Sequence, residues 1–204
     1  MLAFAVVAGM MLSAFAEQGA AQNADPLGES PLGDMALGSP NAPVTVTEYA
    51  SMSCSHCAAF NNTVYPKLKA SFIDTGKIRF VFREFPLDIK AAAGSMLARC
   101  LANGEPEKYF AAIDLLFRTQ NDWVSGNSPD GLKRIAIQAG LGTKGFQDCL
   151  ANDEMLNAIK QTRESAIARL DVKSTPTFFV DGVRVNETGT FEALEEAITS
   201  RLTH

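Results

Sequence analysis

The hydrophobic positions of this chain change period from segment to segment. "APVTVTEYAS", ahead of a cysteine pair, alternates β-branched with other residues and predicts a strand. From Cys54 onward the spacing becomes helical. Phe60, Val64 and Leu68 recur four apart through "CAAFNNTVYPKLKASF", and Pro66 inside that stretch predicts a kink. After the turn "DTGK", the run "IRFVFREF" is dense in β-branched and aromatic residues and predicts a second strand. The order strand, helix, strand is a βαβ unit, and the cysteine pair lies at its strand-to-helix junction.

From Lys90 to about Leu170 the pattern is helical throughout. Ala93, Met96, Leu97, Cys100 and Leu101 fall on one apolar face. "EPEKYFAAIDLLF" has Pro106 near a helix start. "SPDGLKRIAIQAG" offers Ser128 as N-cap and Gly140 as a stop. "TKGFQDCLA" puts Phe146, Cys149 and Leu150 on one face, and "NDEMLNAIKQTRESAIARL" predicts a long helix. Then "STPTFFVDGVRVNE" predicts a hairpin turning at Asp181-Gly182. "FEALEEAITSRL" predicts a closing amphipathic helix.

Two N-terminal stretches do not fit this scheme. Residues 1–16, "MLAFAVVAGMMLSAFA", are uncharged, too short to span a membrane, and end in an A-x-A pattern. They predict a secretory signal peptide cut after Ala16, and left uncut they would act as a membrane anchor. No Lys or Arg precedes the apolar run, which departs from the usual signal pattern. Residues 17–40, rich in Gly, Pro and small polar residues, predict a flexible linker.

Composition adds bounds. The 204 residues, 47% hydrophobic and 20% charged, suffice for a packed core. A net charge of −5 provides no basic field for nucleic acid. Export would expose the four cysteines, Cys54, Cys57, Cys100 and Cys149, to an oxidising compartment, where an even count suggests pairing.

Three readings compete for "CSHC", residues 54–57. Zinc wants four ligands, yet the histidines are only His56 and the terminal His204, and no second C-x-x-C follows. A purely structural bridge would close so short a loop that it would remove little unfolded-state entropy. The redox reading fits the position. The first turn of a helix offers free N–H groups and the positive end of the dipole, which together stabilise a thiolate. A protonated His56 would add to that effect. Pro176, at the start of an apolar strand, is a candidate cis-proline that would hold Thr175 against the dithiol and leave backbone groups free for an extended peptide.

Taken together, strand, "CSHC" helix, strand, helical insertion, "TPTFFVDG" hairpin and final helix resemble the DsbA family of thiol:disulfide oxidoreductases over roughly residues 41–204. The "FREFPL" stretch adds to the likeness. The resemblance implies an α/β, thioredoxin-like fold interrupted by an inserted α-helical domain: thioredoxin-like residues 41–88 and 170–204, and a helical insertion at 89–169. It implies Cys54 as the exposed nucleophile, Cys57 as the buried resolving thiol, His56 as thiolate stabiliser, Pro176 as cis-proline with Thr175 before it, and Glu48 as an acid beneath the dithiol. Cys100 and Cys149 depart from the simplest family pattern, and a second, structural disulfide is expected between them.

The implied activity is a periplasmic thiol oxidase, without cofactor or metal, that donates its disulfide to unfolded, cysteine-containing secreted proteins. A membrane quinone-linked, DsbB-like partner would reoxidise it. A reductase or isomerase is the alternative, although the Trp-Cys-Gly-Pro-Cys site typical of reducing thioredoxins is absent. Residues 17–40 are also too short for a dimerisation domain, so a monomer is expected. A third reading is a chaperone-like binding module with an inert cysteine pair.

Overall fold

The computed structural model describes residues 27–125, 130–186 and 189–203. The expected signal peptide, the first part of the expected linker and the Ser128 N-cap lie outside them. Strands β1 (Met35–Leu37), β2 (Val44–Ala50), β3 (Ile78–Glu84), β4 (Thr177–Val180) and β5 (Val183–Arg184) form one sheet in the order β1-β3-β2-β4-β5. β2 and β3 run parallel, and every other pair is antiparallel. Helices α1 (Ser55–Thr63) and α2 (Tyr65–Leu68) cross over between the parallel strands. Between β3 and β4 lie α3 (Ile89–Ala102), α4 (Pro106–Arg118), α5 (Asp130–Gln138), α6 (Gly142–Leu150) and α7 (Asp153–Leu170). Helix α8 (Phe191–Leu202) follows the hairpin. This is the expected thioredoxin-like sheet with helices inserted.

The expected kink falls at Val64, the residue between α1 and α2. Pro66 sits in the first turn of α2, where its missing N–H costs no helical bond. The hairpin turns on Asp181 and Gly182 with φ of 46° and 76°, the positive pair that a two-residue turn demands. Asp88, Asn152 and Thr190 cap α3, α7 and α8 with their side-chain oxygens.

Because side chains alternate along a strand, the sheet buries both faces. Val46, Ala50, Phe80, Phe82 and Phe178 join Phe60, Tyr109 and Leu116 in the larger core. Tyr49 and Phe179 pack with Ala166 and Val172 on the other face.

The linker expectation is corrected over residues 27–40. Leu27 is buried in the second core, and Met35–Leu37 pair with β3 as an edge strand. Two buried arginines fasten this arm. Arg83 donates to both oxygens of Asp34, to the Gly28 carbonyl and to the Tyr49 hydroxyl. Arg99 forks onto Glu84 at 2.6 and 3.1 Å and donates to the carbonyls of Leu32 and Gly33. The Gly, Pro and Ser that hid this arm from periodicity are turn residues, with Gly28, Gly33 and Gly38 at positive φ.

Candidate active site

β2 delivers the chain to the site. After Ala50 a turn closes through the Cys54 N–H to the Ser51 carbonyl at 3.1 Å, and Cys54 becomes the N-cap of α1. Its backbone is extended (φ −79°, ψ 120°), which turns its side chain back over the first helical turn. The Cys54 Sγ accepts the Cys57 N–H at 3.3 Å and lies 3.3 Å from the Thr175 carbonyl oxygen, to which its thiol donates. Both cysteines of the pair are free thiols, so the site is the dithiol form.

The two sulfurs differ in environment. Cys54, expected to be exposed, is only 8% accessible, because the helix turn and the Thr175–Pro176 loop close over it; Cys57 is fully buried. The Cys54 pKa is lowered to about 5. Hydrogen bonding from the Cys57 thiol is the main cause, partial burial opposes it, and Thr175 and the backbone N–H groups of Cys57 and His56 add to it. Burial pushes the Cys57 thiol far up, and the charges of Glu48 and Cys54 push it further. One proton therefore leaves Cys54 with ease while the other stays on Cys57.

Glu48 lies in β2 and is 3% exposed, with Oε1 buried and without a hydrogen-bond partner. Burial foremost, then the Cys54 charge, raises its carboxyl well above the carboxylate range. The Thr175–Pro176 peptide is cis, and the buried Thr175 hydroxyl, with no other partner, is free to donate to the Cys54 thiolate. The His56 side chain is exposed. The structure thus gathers Cys54, Cys57, Thr175, Pro176 and Glu48, and leaves the His56 imidazole at the rim. Cys100 and Cys149 form a disulfide joining α3 to α6, apart from this site.

Sequence reasoning missed the scaffold around the cysteine loop. Gln120 reaches in from the end of α4 and donates to the carbonyls of Met52 at 2.9 Å and Cys54 at 3.0 Å. Asp88, the cap of α3, accepts from the Ser53 hydroxyl at 2.7 Å. Gln120 carried no distinguishing signal, since it stands inside the polar run 118–122.

Comparison with known proteins agrees with this geometry. The thioredoxin family model matches residues 30–200. The crystal structure of Wolbachia pipientis alpha-DsbA1 superposes with a TM-score of 0.76 at 30% identity, covering 83% of this chain and 91% of that one. A Rickettsia bellii relative, whose name places it among protein-disulfide oxidoreductases, is 32% identical over 152 residues, 74% of this chain. The chain spans 58% of that relative's length. Disulfide bond formation protein D of Bacillus subtilis is 26% identical, over 83% of this chain and 78% of its own length. With the fold, the cysteine pair at the helix start and the cis-proline facing it all in place, the chain belongs to the DsbA family of thioredoxin-fold proteins.

Proposed function

We propose that this chain is an exported thiol oxidase that donates a Cys54–Cys57 disulfide to cysteine-containing secreted proteins in the periplasm. The observation that carries the reading is the split between the two sulfurs: Cys54 is lowered to about 5 while Cys57 is raised by burial. A thiolate stabilised in the dithiol form stabilises the reduced protein, which makes the disulfide the stronger oxidant.

In the oxidised protein a substrate thiolate attacks the Cys54 sulfur. The Cys54–Cys57 bond breaks, a substrate–Cys54 bond forms, and Cys57 leaves with the electron pair and takes a proton. Glu48, a buried carboxyl raised well above the usual range and electrostatically coupled to Cys57, is suited to supply that proton. A second substrate thiolate then attacks the substrate sulfur of the mixed disulfide. Cys54 leaves as a thiolate, and its low pKa makes it a good leaving group. Substrate is oxidised and enzyme reduced by two electrons. Pro176 would face the bound peptide, and Thr175 would contact the Cys54 sulfur. A membrane quinone-linked partner would restore the disulfide.

The test pairs two measurements. Against glutathione buffers, the Cys54–Cys57 couple should be far more oxidising than thioredoxin's value of about −270 mV. Oxidation of a reduced, unfolded client should disappear in Cys54→Ser. A potential near thioredoxin's would transfer the assignment to a reductase, and undiminished oxidation by Cys54→Ser would rule out the scheme.

A further inference from the structure

One side chain of the helical insertion holds the active-site loop from both sides. Gln120 is 8% exposed and sits where α4 gives way to a π-helical turn, Asn121–Ser125. Irregular turns of this kind recur at functional sites because they redirect side chains. Both Gln120 hydrogen bonds come from Nε2, one to the Met52 carbonyl and one to the Cys54 carbonyl. Those two carbonyls bracket the dipeptide Ser53–Cys54. The Cys54 carbonyl also accepts the first bond of α1, from the Ala58 N–H at 3.1 Å.

Packing at this junction is tight. A Cβ on Gly94 of α3 would lie 2.9 Å from the Trp123 ring and 3.0 Å from the Met52 Cβ. Trp123 is itself held by its indole N–H to the Leu116 carbonyl at 2.9 Å. The amide that grips the loop therefore stands on a rigid base.

We infer that Gln120 is a positioning residue for Cys54: its amide fixes the two peptide planes around Ser53–Cys54 and so keeps the Cys54 sulfur on the Cys57 N–H. This inference rests on the proposed thiolate chemistry. It assigns the helical insertion a part in setting the redox poise of the dithiol. Without the clamp the N-cap geometry relaxes and the N–H···S bond weakens. The thiolate is then less stabilised, the Cys54 pKa rises, and the disulfide oxidises less strongly.

The experiment compares parent, Gln120→Met and Gln120→Glu as full chains. The thiolate of the reduced protein is titrated by ultraviolet absorbance, and the dithiol is equilibrated with glutathione. Methionine keeps the volume and removes the donor; glutamate sets a carboxylate against two carbonyls. The expected result is a Cys54 pKa raised by about one unit in Gln120→Met and more in Gln120→Glu. The equilibrium with glutathione should shift about tenfold against the reduced form, or about 30 mV for a two-electron couple. A merely structural glutamine would lower the unfolding midpoint and leave pKa and potential unmoved, which overturns the inference. Should neither variant fold, the parent decides by NMR. The Gln120 side-chain amide resonances should titrate with the Cys54 midpoint, and resonances that ignore it overturn the inference equally. An ordinary Cys54 pKa in the parent would instead strike at the proposed function.

Discussion

At the residue scale, the chemistry comes from asymmetric environments around two identical side chains. Cys54 accepts hydrogen bonds at a helix start, and Cys57 is sealed in the core. The asymmetry links redox state to stability. An unfolded thiol titrates at about 8.5, whereas Cys54 in the folded dithiol titrates at about 5. Its folded value is depressed, so the stabilisation is fully present above the unfolded value and lost as pH falls through the folded one. Reduced protein should therefore hold its greatest advantage in unfolding temperature over oxidised protein near pH 9. That advantage should shrink steadily through neutrality and level off below about pH 5. Thermal scans of both redox forms across this range check it, and a difference independent of pH would show that Cys54 is not held as a thiolate. Glu48 acts in the opposite sense. Its carboxyl is raised by burial, so its contribution is complete below the unfolded value of about 4.3 and declines as pH rises from there through the folded one. Burial, the larger cause of the Glu48 shift, is common to both redox forms and cancels in the comparison between them, whereas the part due to the Cys54 charge belongs to the reduced form alone.

At the element scale, the strands and helices of the site were legible in the sequence because each carries its own period. "VTVTEYA" alternates, the "CSHC" helix repeats every four residues, and the Asp181-Gly182 turn has the chemistry of a tight hairpin. The arm 27–38 was not legible. It is held by long-range polar contacts to Arg83 and Arg99, and such contacts leave no period. Gln120 was missed for the same reason, since its partners lie 66 and 68 residues away. Cys54 was expected to be exposed, because a motif reports what a residue can do and not what the neighbouring loop covers. The Arg99 cluster makes a prediction of its own. Glu84 is fully buried and accepts from Arg99 and from the Tyr109 hydroxyl at 2.6 Å. Arg99→Met would strand a buried carboxylate and two arm carbonyls, so unfolding in urea should show a loss of about 3–5 kcal/mol. Adding Glu84→Gln removes the stranded charge, keeps an acceptor for Tyr109, and should recover part of that loss. No recovery would mean that Arg99 acts through the arm carbonyls and not through Glu84.

At the scale of the whole molecule, the sheet and the insertion share one core. The cluster that holds Val46, Phe80 and Phe178 of the sheet continues without a break through Tyr109, Leu116, Trp123 and Ile135 of the insertion. Tyr109 meets Phe82 edge-on at 5.9 Å, so an insertion helix packs directly on a central strand. The N-terminal arm crosses the same seam: Ser30 bonds Thr162 of α7 while Leu32 and Gly33 hold Arg99 of α3. The insertion's own cluster, Met96, Cys149 and Ile159, is small beside this shared core. The protein should then unfold in one cooperative transition. Trp123 fluorescence, which reports the insertion, and far-ultraviolet circular dichroism, which reports all elements, should give the same midpoint in denaturant. The Cys100–Cys149 bridge closes a loop of 49 residues within the insertion alone. Replacing both cysteines by alanine should lower the common stability by up to about 4 kcal/mol in the chain-entropy account, and the two probes should stay coincident. A fluorescence midpoint that falls ahead of the dichroism midpoint in that variant would show the insertion detaching as its own unit. The seam through Tyr109 and Gln120 would then be weaker than its contacts indicate, and the insertion could not steady the cysteine loop.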